Sequence, residues 1–461
     1  MTARQQPELA RVLGPWAAAA IVVGTMIGTG IFIVPADMAR TAGRPALVYL
    51  AWIVGGVLSL SGALAYAELG AAIPEAGGEY AYLTRAFGPQ WGFLFGWMHS
   101  IVGRPASIAT IAAGLLRFWS FLDPRVATPL FTVPGPGTAQ SHFVFTAAQP
   151  LAVVAIAAVT GLNYLGVRLG GRVQVLLTAI KLGAIVAVIV AGLVLAHPGP
   201  VGAPASVAGV GLGGFFAALV AALWAYDGWS NVNLVGSEVT VPGRNIPRAL
   251  VAGVSLVLVL YVLMTAACFH GLSYAEVAAS PHVASDLMAR LAGPGVARWL
   301  TVAMIICALG TLNSSILSGA RVDYAMARDG LFFSLARGIH PRFRTPARAL
   351  VFQGCLASVL ALTGTFEDLF SLFIFAQWIF YALATASVIR LRQKEPALPR
   401  PYRAWGYPVL PLLFVAGAAG VTLSLLLQRP LRSLAGLIVI LAGLPFYQRW
   451  KKVPAGFSTE R

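Results

Sequence analysis

The chain has 461 residues, 58% of them hydrophobic and only 10% charged, with a mean hydropathy of +0.79. An average soluble domain is about a quarter charged, so a water-wetted globular surface is excluded and lipid must be the main solvent. The formal charge of +16 lies in short Lys/Arg clusters between apolar runs, as topology signals do. No basic helix interleaved with aromatics is present, which excludes nucleic acid as a partner.

A membrane span takes about twenty mostly apolar residues. On that measure the chain predicts about twelve helices, at 15–35, 45–72, 91–120, 150–166, 170–196, 211–238, 247–271, 296–321, 348–364, 368–390, 406–427 and 431–448. The first follows Arg4 and Arg11, as a signal peptide would. Its apolar run, Trp16 to Val34, instead continues through glycines without a small-residue cleavage site, and reads as an uncleaved helix. No long polar linker divides the rest, so residues 1–461 form a single membrane domain. With the N-terminus placed inside, 22 of the 32 Lys and Arg fall on the cytoplasmic side and seven outside. Arg104, Arg117 and Lys181 lie within or at the end of spans. That bias places both termini in the cytoplasm.

Other function classes find little support. H-E-x-x-H, G-x-S-x-G and paired carboxylates on one helix face are all missing, so the chain does not read as an enzyme. Only His99 of the six histidines is clearly within a span, and neither a metal nor a cofactor is expected. Cys268, Cys307 and Cys355 all fall in apolar runs and read as packing residues. A channel would want repeated filter loops or charged rings, and a sensor an added signalling segment.

Two segments are irregular as spanning helices. One is G-T-M-I-G-T-G-I-F, Gly24 to Phe32, and the other W-A-Y-D-G-W-S-N, Trp224 to Asn231. Glycine clusters and a mid-membrane Asp-Gly weaken a helix where freed backbone groups have no water, which is tolerated where they line an enclosed cavity. Close helix packing is the other reading of the first segment. The second also carries an ionisable residue, Asp227. They fall in helices 1 and 6, matching positions of two five-helix halves, a pattern that points to a transporter binding site. Freed N–H groups attract a carboxylate and freed carbonyls an ammonium. An amino acid carries both.

Six motifs then resemble one family in order: G-T-M-I-G-T-G-I-F; I-P-E-A-G-G-E-Y-A-Y-L-T-R-A-F-G (Ile73 to Gly88); R-P-A-S-I-A (Arg104 to Ala109); L-L-T-A-I-K-L (Leu176 to Leu182); A-Y-D-G-W through R-N-I-P-R-A-L (Ala225 to Leu250); and L-N-S-S-I-L-S-G-A-R (Leu312 to Arg321) with R-T-P (Arg344 to Pro346). The chain resembles the amino acid–polyamine–organocation superfamily and its L-type exchanger branch. The closing R-P-Y-R-A-W-G-Y-P-V-L-P and A-G-L-P-F-Y are most similar to bacterial serine/threonine exchangers. The resemblance implies an all-α membrane fold of about twelve helices. Its five-plus-five inverted repeat is of the LeuT type, with broken helices 1 and 6. Repeat one is expected at about 15–196, repeat two at about 211–390, and two extra helices at about 406–448. It further implies an L-amino-acid transporter of a bacterial inner membrane, exchanging small neutral substrates without sodium. Proton-coupled uptake, or exchange of cationic or large neutral amino acids, is the alternative.

Carried over by position, the resemblance implies that backbone N–H groups of Gly28, Thr29 and Gly30 hold the substrate carboxylate. Carbonyls of Met26, Trp224 and Asp227 would receive the α-ammonium, with Trp224 lying over the substrate as an outer gate. Lys181, mid-span where insertion costs roughly 2.5–3.5 kcal/mol, would replace a sodium ion, holding helix 1 near Gly28 with Ser314 or Ser315 nearby. Snorkelling is its bland alternative. Asp227 has two readings, a helix cap or a selector of substrate side chains. Arg104 is expected to anchor a helix to a loop, and Glu68, Glu238 and Asp323 to form gates or salt bridges. Animal members of the branch pair with a glycoprotein through a cysteine between helices 3 and 4. Residues 121–149 contain none, so no disulfide-linked partner is expected.

Overall fold

The computed structural model describes residues 9–28, 30–134, 142–196, 212–280, 282–364 and 366–451. The first half of the chain builds α1 (Pro15–Met26), α2 (Gly30–Ala42), α3 (Pro45–Ala72), α4 (Glu79–Phe87), α5 (Pro89–Met98), α6 (Arg104–Leu122), α7 (Ala148–Tyr164) and α8 (Val167–Val194). There follow α9 (Leu212–Tyr226), α10 (Asn231–Leu234), α11 (Pro242–Gly271), α12 (Tyr274–Ala279), α13 (Val283–Ala292) and α14 (Pro294–Arg328). The last are α15 (Ala347–Thr363), α16 (Phe366–Lys394), α17 (Val409–Gln428), α18 (Pro430–Leu441) and α19 (Gly443–Trp450). Among the described residues nine helical segments are long and apolar enough to cross a membrane. The apolar helices α7 and α15 have 17 residues each and α9 has 15. Every segment expected to span contains one or more of these helices.

Proline sets many of the starts. α1, α3, α5, α11, α14 and α18 each carry it at the first helical position, where its missing N–H costs nothing. α5 runs into α6 through a π turn, His99–Gly103, just ahead of Pro105. The ring of Pro105 cannot continue the regular ladder, and the wider turn absorbs the fault.

One element lies outside the expected all-helical pattern. Pro129–Pro134 and His142–Thr146 pair antiparallel between α6 and α7, with Phe131 stacked on Phe145 at 4.7 Å. Its alternating aromatic and β-branched residues suit a strand, but its shortness hides it beside the spans. The three cysteines are free, Cys268 and Cys307 buried in the bundle and Cys355 exposed on α15.

The broken pair sits at the centre. α1 packs against α8, α11 and α14, while α2 packs against α9, and α3 packs on both α9 and α11. At the N-terminal side the bundle is closed by backbone pairing. The N–H groups of Val12 and Leu13 both donate to the Glu238 carbonyl at 2.9 Å, and Thr240 N–H returns to Leu13. Beneath them Arg321 of α14 grips the Glu238 carboxylate through both oxygens, at 2.6 and 3.0 Å, with both side chains fully buried. Glu68 closes a second network. It accepts from Arg392 at 2.6 Å and from the Ala404 N–H at 2.7 Å, with Arg400 at 3.4 Å, tying the α16–α17 connection to the end of α3.

Removing one member of a buried ion pair leaves an uncompensated charge and costs about 3–5 kcal/mol, whereas replacing both with apolar groups is often neutral. Arg321→Met is therefore expected to lower the thermal unfolding midpoint of the detergent-solubilised protein markedly. Adding Glu238→Leu should recover most of the loss, and a double variant no better than the single would contradict the pairing.

Candidate functional site

α1 stops at Met26 because three neighbours take over its backbone. Gln174 and Thr178 of α8 both donate to the Ala20 carbonyl, at 3.1 and 3.2 Å. Gly24 makes room for them, since a Cβ there would lie 2.2 Å from the Gln174 amide nitrogen. Lys181, one helical turn further along α8, is fully buried. Its ammonium donates to the carbonyls of Gly24 at 2.8 Å, Ile27 at 2.7 Å and Cys307 at 3.1 Å. Three acceptors saturate an ammonium's three protons, so Lys181 does not snorkel. It caps the broken end of α1 and ties it to α14.

The partners of this lysine differ from the expected serines. The Thr311 hydroxyl, not Ser314 or Ser315, lies among the same three carbonyls, at 3.1 to 3.4 Å. Ser314 is nearly one turn along α14 and shares a hydrogen bond with the Thr25 hydroxyl. Ser315 lines the adjacent cavity.

The second break follows Tyr226, where α9 ends and α10 restarts at Asn231. Gly228 takes φ +100°, and a Cβ there would come 2.5 Å from Thr25 Cγ2. The two breaks therefore touch. Tyr261 of α11 links them, its hydroxyl lying 2.8 Å from the Met26 carbonyl and 2.9 Å from that of Ala225. The Met26 carbonyl, expected to receive an ammonium, thus already accepts from the Tyr261 hydroxyl and from the Gly28 N–H at 2.9 Å, which engages both of its lone pairs. The Trp224 carbonyl accepts from the Asp227 N–H at 3.2 Å. The Asp227 carboxylate accepts from the Tyr381 hydroxyl at 2.7 Å, which fixes it to α16 beside the cavity.

Between the breaks lies a cavity of about 140 Å³, with Gly28, Gly30, Trp224, Asp227 and Arg104 in its wall. Gly30 opens α2, so its N–H has no intrahelical partner. Thr29 lies outside the described residues. Trp224 is 40% exposed and stands 3.4 Å from where a Gly30 side chain would begin. It also lines a second cavity, of about 290 Å³, on its other side. Arg104 anchors helix to helix, not helix to loop. It donates to Asn231 Oδ1 at 3.0 Å and to His99 Nε2 at 3.3 Å. Asp323 makes no salt bridge among the described residues, and neither of its oxygens has a hydrogen-bond partner.

Thr311, Tyr261, Tyr381 and Glu79 join the site without having been singled out by sequence. A hydroxyl in an apolar run gives no periodic signal, and their long-range partners are set only by packing. Arg104-Pro105 was the usable clue, because the proline forces the π turn that brings His99 and Arg104 to the cavity.

The amino acid permease family model matches residues 13–441. The serine/threonine exchanger SteT of Bacillus subtilis is 34% identical over 448 residues, 96% of this chain and 98% of that one. The human b(0,+)-type amino acid transporter 1 is 32% identical over 456 residues, 96% of this chain and 89% of its own. The human cystine/glutamate transporter is 30% identical over 448 residues, with 95% and 85% covered. These relatives are permeases and exchangers, not enzymes. This multi-pass helical membrane protein, with its two touching breaks, belongs to the amino acid permease family of the amino acid–polyamine–organocation superfamily.

Proposed function

We propose that the chain is a sodium-independent exchanger of small neutral L-amino acids such as serine, threonine and alanine. The observation that carries this reading is the Lys181 ammonium on the Gly24, Ile27 and Cys307 carbonyls. A built-in ammonium ligated by main-chain oxygens occupies the kind of site a sodium ion would take, leaving sodium little to add. The N–H groups at the start of α2, with that of Thr29, would hold the substrate carboxylate, joined by the Gly28 N–H on leaving the Met26 carbonyl it now bonds. The carbonyls of Met26, Trp224 and Asp227 would take its ammonium, that of Met26 in exchange for one of its two present donors, and Trp224 would form the gate between the two cavities. The small cavity supports a small side chain.

In this reading the chain is a five-plus-five inverted repeat with two added helices. Both termini are cytoplasmic, in a bacterial inner membrane, and the protein acts without a disulfide-linked subunit. A second reading, exchange of cationic amino acids, is favoured by one observation: the Asp227 carboxylate lines the cavity.

Reconstitution in sodium-free liposomes distinguishes the two. Labelled serine is expected to enter only vesicles preloaded with amino acid, and lysine outside should compete weakly. Uptake into empty vesicles under a pH gradient would overturn exchange, and preferential uptake of lysine would select the second reading. Lys181→Met is expected to lower exchange at least tenfold. Sodium restoring that variant would mark the lysine as a stand-in for the ion, while full activity in the variant would refute the proposed role. Gly228→Ala, strained by its positive φ and by Thr25, should lose exchange without losing membrane insertion.

A further inference from the structure

The floor of the central cavity holds more negative than positive charge. Glu79, the first residue of α4, is 1% exposed and lines the cavity, yet its Oε2 has no hydrogen-bond partner. Asp323 of α14, which faces Arg104, is also 1% exposed, with both oxygens unpartnered. Asp227 is the third carboxylate. Arg104 is the fixed cation that faces all three electrostatically, but among the described residues it forms an ion pair with none of them.

The remaining neighbours supply no charge. Ser230 faces Glu79 from the second break, and Tyr66, Tyr82 and Tyr381 face it from α3, α4 and α16. Ser100 and Arg104 are the groups nearest Asp323. Tyrosine is uncharged near neutral pH. His99 receives the Arg104 N–H on Nε2, so that nitrogen carries no proton and the ring is neutral in this arrangement. Lys181 faces none of the three carboxylates; its ammonium lies on the carbonyls of Gly24, Ile27 and Cys307.

Three ionised carboxylates against one guanidinium leave two uncompensated negative charges in a dry site, and buried groups neutralise rather than bear that cost. A zwitterionic substrate adds no net charge. Protons on Glu79 and Asp323 bring the site to zero, with Asp227 and Arg104 as the surviving opposite pair.

We propose that Glu79 on the floor of the substrate cavity, coupled through Arg104 to the buried Asp323, is a proton-binding site, and that these protons must be present for the carrier to close around a neutral amino acid. This is separate from Lys181 and rests on the permease reading only for its transport consequence. α4 lies outside the spanning segments, and burial pushes the Glu79 carboxyl up to about 7. A raised carboxyl is protonated below that value and loses its proton above it, so exchange of neutral substrates should slow as pH rises through neutrality.

Infrared titration of the purified protein tests the protonation directly and needs no transported substrate. Wild type is expected to show a carboxylic-acid C=O absorption that fades as pH rises through about 7. Glu79→Gln should lack that component and Asp323→Asn should remove a second. The same absorption in Glu79→Gln as in wild type, or none in wild type under mild acid, would overturn the proposal. In liposomes, exchange of whichever amino acid the wild type carries best should fall at least fivefold from mild acid to mild alkali. Glu79→Gln, isosteric and permanently neutral, should be flat. An unchanged pH profile in that variant would overturn the transport consequence even where the infrared result holds.

Discussion

A backbone that leaves the helical path inside a membrane must find partners within the protein, and here one ammonium supplies the charged one. Lys181 reaches the carbonyls of Gly24 and Ile27 at the end of α1 and that of Cys307 on α14. Without those bonds, two main-chain oxygens at the break of α1 would lose their charged donor in a dry interior. With them, the break is a defined object, and helices α1, α8 and α14 meet at one point. Gly24, Gln174 and Thr178 adjust the approach. Thr311 fills the space beside the ammonium.

Everything that gives the cavity its chemistry is then arranged around the two breaks. Free N–H groups at the start of α2 give it a pole for an anion, and the ends of α1 and α9 give it carbonyls. Asp227 and Arg104 add side-chain charge, each tied to a different helix, by Tyr381 and Asn231. Recognition by main chain suits a class of substrates, since every α-amino acid presents the same two groups. In the proposed reading, selection among side chains would fall to the wall made by α6, α14 and α16.

Much of this was legible before any coordinates. The Asp227-Gly228 pair marked the second break through an ionisable residue at mid-membrane, while the glycine cluster at Gly24–Gly30, which close packing could also explain, gained its weight from the matching position in the other half. Lys181 stood out through its cost in lipid. Thr311 among the lysine's carbonyls was not foreseen because α14 presents Thr311 and Ser314 nearly one turn apart, and spacing alone does not say which meets α8. The β-hairpin went unseen because its strands are short. The loss of a salt-bridge role for Asp323 could not be read either, as a buried carboxylate and a paired one look the same in sequence. Arg321 and Glu238, 83 residues apart, form their pair only through the fold.

Tyr261 places one hydroxyl between the Met26 and Ala225 carbonyls. A hydroxyl has a single proton, so at any instant it bonds one of the two strongly and only touches the other. Both interrupted helices are thereby held at a fixed separation by a hinge pin that can hand its proton from one to the other. Their two ends lose the freedom to slide apart independently. A geometry with one break displaced and the other at rest loses this shared contact, so the pair is biased to move as one body.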